Sequence, residues 1–155
     1  MDKFKGYILA WRVAGPFEIK DCADGMQVFQ KPFEPERDPE SRNIKWIKLD
    51  KAFEGDRIDL QATFGNLDYV SCYARTYIWS PDNQQVKLEG SCDDFIKGWI
   101  NGQEINGNFE LKKGKNTFML KLGDHGGGWV FKCQIKKPNG SQVDGLRFNP
   151  NSDKL

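Results

Sequence analysis

Hydrophobic and polar residues alternate with a period of two along most of this chain, and an apolar stripe at helical spacing is hard to find. The pattern predicts a mainly β protein. A first strand is expected over 7–13, with Tyr7, Leu9, Trp11 and Val13 on one face and Ile8, Ala10 and Arg12 on the other, ended by Gly15-Pro16. Between 18 and 43 the alternation dissolves among Asp21, Asp24, Gly25, Pro32, Pro35, Asp38 and Pro39, which reads as a long surface excursion anchored by Phe17, Phe29 and Phe33. Short strands follow over 44–49 and 58–64, and the longest over 69–79, where Ser80-Pro81-Asp82-Asn83 stops it. One face of that strand is small and aliphatic (Val70, Cys72, Ala74, Thr76, Ile78), the other largely aromatic (Tyr69, Tyr73, Tyr77, Trp79), so both sides should be covered. Further strands are expected over 84–89, 95–100, 103–105, 108–111, 116–122, 129–135 and 143–148, and the tail 149–155 is set apart as the segment that frays. Asn101-Gly102 has the residue pair of a type I′ hairpin turn. The expected architecture is an all-β, antiparallel β-sandwich.

Composition narrows the function classes. The chain has 155 residues, enough for one domain, and its 13% aromatic content argues against disorder. Its 23 Lys and Arg against 22 Asp and Glu give a net charge of +1, and so no electrostatic reason to favour a nucleic-acid backbone or an anionic membrane. No apolar run approaches the roughly 20 residues that span a bilayer, and the start, residues 1–6, lacks the apolar centre of a signal peptide. With one histidine, His125, most histidine triads and multi-histidine metal sites are excluded. Cys22, Cys72, Cys92 and Cys133 show no C-x-x-C spacing, which disfavours zinc; Cys72 and Cys133 read as buried fillers, and a disulfide depends on export. Location stays open: extracytoplasmic or secreted if the chain belongs to a larger exported protein.

The run Gly98-Trp99-Ile100-Asn101-Gly102, followed by Leu111-Lys112-Lys113-Gly114-Lys115-Asn116-Thr117-Phe118-Met119-Leu120, resembles the "VWLNG … L..G.N" pattern of the galactose-binding-like jelly-roll. That group includes sugar-binding domains of β-galactosidase-type glycoside hydrolases and accessory domains of bacterial polysaccharide-degrading proteins. Trp11-Arg12-Val13-Ala14-Gly15-Pro16-Phe17, Tyr73-Ala74-Arg75-Thr76-Tyr77 and Gly126-Gly127-Gly128-Trp129 are similar to the same accessory domains. The resemblance implies a non-catalytic carbohydrate-binding or accessory module that recognises a glycan with loops at one end of the sandwich.

The candidate ligand residues are Trp79, Asp93, Asp94, His125 and Trp129. Adjacent carboxylates suit calcium or sugar hydroxyls, but with no EF-hand-like spacing to supply further oxygens the capping of a turn and strand end is the favoured reading. In lectin-like adhesin domains an aspartate pair at a comparable place binds calcium and sugar; Cys92 departs from the small or polar residue usual before it. The loop Gly123-Asp124-His125-Gly126-Gly127-Gly128-Trp129 allows close approach of a ligand, or simply turns the chain. Trp79 and Trp129, at strand ends, are the expected stacking platforms, and Trp11, Trp46 and Trp99 the expected core. Glu34, Glu36, Asp38 and Glu40 read as solvated charges of the excursion rather than glycosidase carboxylates. A second reading makes the chain a structural module that docks on a neighbouring catalytic domain, or on a second copy, through Tyr69, Tyr73 and Tyr77.

Overall fold

The computed structural model describes residues 6–49 and 56–151. Two antiparallel sheets face each other as a sandwich. The larger contains β1 (Trp11–Phe17), β2 (Ile47–Leu49), β4 (Val70–Ser80), β6 (Phe95–Ile100), β7 (Gln103–Glu104), β9 (Gly114–Asp124) and β11 (Arg147–Asn149). Its order is β2-β1-β4-β9-β6-β7, with β11 also paired to β4. The smaller, in the order β3-β10-β5-β8, is built from β3 (Ile58–Asp59), β5 (Gln84–Cys92), β8 (Phe109–Leu111) and β10 (Val130–Lys136).

The core between the sheets follows from the alternation. Val70, Cys72, Ala74 and Ile78 of β4 and Phe118, Leu120 and Leu122 of β9 meet Val86, Phe131, Cys133 and Ile135 of the smaller sheet, all almost completely buried. β4 and β9 pair along their whole length, from Val70 opposite Asp124 to Ser80 opposite Gly114. That register matters for function, because it carries Asp124 to the end of the sandwich on the inward-facing phase of Leu120 and Leu122.

The second face of the larger sheet is covered too. The excursion folds over it, adding α1 (Gly25–Gln30) and α2 (Glu34–Arg37). Val28 and Phe33 bury against Tyr73 and Met119, and Phe17 stacks on Phe33 at 5.0 Å between ring centroids. Proline at the start of α2 reads locally as a helix breaker, yet in the first turn its missing N–H costs nothing and its φ is already helical. Asp24 caps α1, accepting from the amides of Met26 and Gln27. Packing on the sheet, not a periodic stripe, holds these short helices.

Other boundaries shift for local reasons. The first strand begins at Trp11 rather than Tyr7, which makes only an isolated bridge to Gln134. The strand expected over 58–64 ends after Asp59, whose side chain accepts from the amide of Gln61 and starts α3 (Gln61–Phe64). Of the strand expected over 44–49, residues 47–49 pair with β1. Residues 1–5 of the start, and 152–155 of the tail, lie outside the described residues. Asn149 itself ends β11, and Asn151 accepts two hydrogen bonds from the Arg12 guanidinium, at 2.9 and 2.6 Å. The four cysteines are unpaired thiols, Cys72 and Cys133 fully buried as fillers.

The docking face proposed for the tyrosines is not a surface. Tyr73 is fully buried beneath Phe33 and Phe17, Tyr77 is 7% exposed, and Tyr69 packs edge-on against His125 with ring centroids 5.0 Å apart. Glu36 corrects the reading of a freely solvated charge run. It accepts from the Tyr73 hydroxyl at 2.6 Å and pairs with the buried ammonium of Lys121, which also donates to the Lys31 carbonyl and lies within 5.5 Å of the Phe29, Phe33 and Tyr73 ring centroids.

Candidate functional site

Three of the five expected ligand residues converge at one end of the sandwich. β5 ends at Cys92 and β6 begins at Phe95, so Asp93 and Asp94, joined by a cis peptide bond, form the turn between the two sheets. The turn is pinned on both sides: the Asp93 amide donates to the Val130 carbonyl at 3.0 Å and the Asp94 amide to the Gly123 carbonyl at 2.8 Å. Both side chains therefore stand beside the loop that leaves β9.

In that loop the His125 amide donates to Asp94 Oδ2 at 2.8 Å, and the Gly126 amide donates to Asp124 Oδ1 at 3.1 Å. Asp124 is fully buried, and its Oδ2 has no hydrogen-bond donor. The Asp124 carboxyl lies beside that of Asp94, and two ionised carboxylates cannot satisfy each other. Burial first, then the carboxyl of Asp94 and the charge of Asp68, pushes the Asp124 carboxyl up to about 7. For Asp94, burial acts upward. The amides of His125 and Gly126 and the Asp93 and Asp124 carboxyls outweigh it, and hold the group below the usual carboxylate range. Asp93 is raised, chiefly through its hydrogen bond to Asp94. The three carboxyls are thus held unequally, Asp94 lowered and Asp93 and Asp124 raised.

His125 is exposed, and its Nδ1 accepts from the Gly25 amide at 3.0 Å. The neutral ring therefore carries its proton on Nε2, which is the nitrogen left to donate to a ligand oxygen. The contact needs glycine at position 25: a Cβ there would lie 2.6 Å from the His125 Cα. Tyr69, at the entrance to β4, takes a left-handed φ of 58°, an unusual conformation for a bulky residue, and its ring backs the imidazole. Next to Asp93 an open hollow of about 270 Å³ is lined by Ser91, Arg57 and Lys132 among others.

The two tryptophans do not join this cluster. Trp129 is fully buried beneath the loop and packs on Phe64 at 5.6 Å, so its indole offers no face to a ligand. The glycines before it turn the chain back into the core, and a strand-end tryptophan after such a turn is drawn inside. Trp79, half-buried, sits opposite Lys115 in the β4–β9 ladder. That is nine residues along β4 from Val70, or about 30 Å from the aspartate end.

Asp124 and Asp68 are the members of the cluster that the candidate set lacks. For Asp124 the signal was in the sequence: a carboxylate on the inward phase of an alternating strand, two residues after Leu122. Asp68 carries no such signal, since it lies in an irregular segment and reaches the loop only through the fold, with Oδ1 3.7 Å from where a Gly126 Cβ would stand.

No protein-family model matches the chain, and no curated protein matches it in sequence. Among solved structures it is similar to the PA14 domain of the MpAFP antifreeze protein, with 12% identity over 92% of this chain and 73% of that one and a TM-score of 0.44. A likeness that loose transfers no function.

Proposed function

We propose that the protein is a non-catalytic carbohydrate-binding module, and that Asp93, Asp94 and His125 bind a glycan at the end of the sandwich with a calcium ion held by the aspartates. The observation that carries this reading is the buried Asp124 oxygen that lacks a donor, on a carboxyl that lies beside Asp94. Hard oxygen ligands packed together suit calcium, which takes six to eight of them. Among the described residues no three acidic, cysteine or histidine side chains form a ready-made cage. On this reading backbone carbonyls, water and sugar hydroxyls would have to complete the coordination. His125 Nε2–H and the open side of the hollow beside Asp93 supply the remaining contacts. The likeness of the sequence to galactose-binding-like accessory domains supports the same assignment.

Binding of this kind is weak, with Kd from about 1 mM to 1 μM, or roughly −4 to −8 kcal/mol. The test is a glycan array followed by calorimetric titration, with calcium and with EDTA. Retention of glycans in calcium, lost in EDTA and in Asp94→Asn, is the expected result. A chain that ignores calcium and retains nothing across plant, algal and host polysaccharides would falsify the proposal.

A further inference from the structure

A second recess lies on the outer face of the larger sheet, about 17 Å along β4 from the aspartate end and on the opposite phase of the strand. Arg75 of β4, Trp99 of β6, and Thr117 and Met119 of β9 form its floor and wall, and Glu40 of the excursion forms its rim. The Arg75 guanidinium lies 4.3 Å from the Trp46 ring centroid and 5.4 Å from that of Tyr77. Its Nε is buried without a hydrogen-bond partner. Among the described residues no carboxylate comes within salt-bridge range of it, although Glu40 lines the same recess. A fixed donor fork and an acceptor thus stand apart with a gap between them.

The gap has a volume of about 70 Å³. At about 30 Å³ per water it holds two hydroxyl-sized groups but not a sugar ring. An anionic group gains no net attraction there, because Glu40 offsets the Arg75 charge and Glu36 is already paired with Lys121. A neutral vicinal diol satisfies both sides at once, one hydroxyl accepting from the guanidinium and the other donating to the carboxylate, while the ring's apolar C–H face rests on the half-buried Trp99 of the wall. We infer that this recess is a second, calcium-independent saccharide site, specific for neutral pyranoses, in which Arg75 and Glu40 bridge adjacent hydroxyls and Trp99 carries the ring. It uses none of the aspartate-loop residues, so either site can fail without the other.

The test is a titration of the ¹⁵N-labelled chain in EDTA with glucose, galactose, mannose and their β-linked hexasaccharides, following the five tryptophan indole N–H signals. Expected is a saturable shift at Trp99 with Trp11 unmoved, retained in Asp94→Asn and weakened about ten-fold in Arg75→Lys and in Glu40→Ala. Glu40 is exposed, so its variant tests the contact without endangering the fold. No shift at Trp99 with any of these sugars, a shift that survives Glu40→Ala unchanged, or a shift caused by oligolysine and by no sugar would each overturn the assignment.

Discussion

Two buried charges define the residue-scale chemistry, and they behave oppositely. Asp124 is a carboxyl whose folded-state pKa, about 7, lies above its unfolded value of 3.8. The folded chain therefore holds more protons than the unfolded one between those values, so this group's contribution to stability falls as pH rises from about 4 to about 7 and is flat beyond. On the proposed reading calcium replaces that proton: its affinity should climb through the same window, and binding at pH 6 should release about one proton. In EDTA at pH 8, Asp124→Asn should stabilise the protein by on the order of 1–3 kcal/mol while abolishing any calcium-induced rise in Tm. Thermal melts across pH, with and without calcium, measure both effects, and a flat profile between pH 4 and 7 would remove the buried-proton account. Lys121, by contrast, is a cation with its partners in place, and burial lowers its pKa despite Glu36. Lys121→Met alone should cost about 3–5 kcal/mol, because it leaves the Glu36 carboxylate partly buried and unpaired, whereas Lys121→Met with Glu36→Gln should recover much of the loss. Urea titration of the two variants decides whether the pair acts as a unit.

Among the elements, the β6–β7 hairpin and the entry to β9 hang on one side chain. Asn116, fully buried, accepts from Asn101 Nδ2 and the Lys112 amide, both at 2.9 Å, and donates to the carbonyls of Ile78, Lys112 and Gly114. Asn116→Ala strands several buried polar groups, and should cost about 2–3 kcal/mol, a drop of roughly 4–12 °C in Tm by calorimetry. An unchanged Tm would mean that water replaces the amide. The turn it supports was legible in the sequence: Asn101 and Gly102 take φ of 48° and 83°, as the Asn-Gly pair requires. So were β6, residue for residue, and the long central strand to within one position. What escaped was decided by contacts distant in the chain. α1 and α2 are too short to show a stripe and exist because Val28 and Phe33 land on Tyr73. Glu36 is solvated by every local criterion, and only the covering of the sheet brings Lys121 under it. The aspartate end was half legible for the same reason. Asp93 and Asp94 are neighbours in sequence, while Asp124, which gives the pair its electrostatic character, is brought there by the pairing of β9 with β4 and β6.

At the scale of the whole molecule, the same excursion that hides the tyrosines decides how the chain meets other proteins. A stable interface buries about 800 Å² on each partner and centres on large apolar side chains. Among the described residues the exposed large hydrophobics are Met26 and Ile47, at 39% and 40% exposure. They come from α1 and the edge strand β2, and two such residues do not make an interface core. Sedimentation velocity at micromolar concentration should accordingly give one species near 17.8 kDa, unchanged by calcium. A concentration-dependent dimer, lost on Ile47→Lys, would restore docking between copies, with the β2 edge rather than the tyrosine face as its seat.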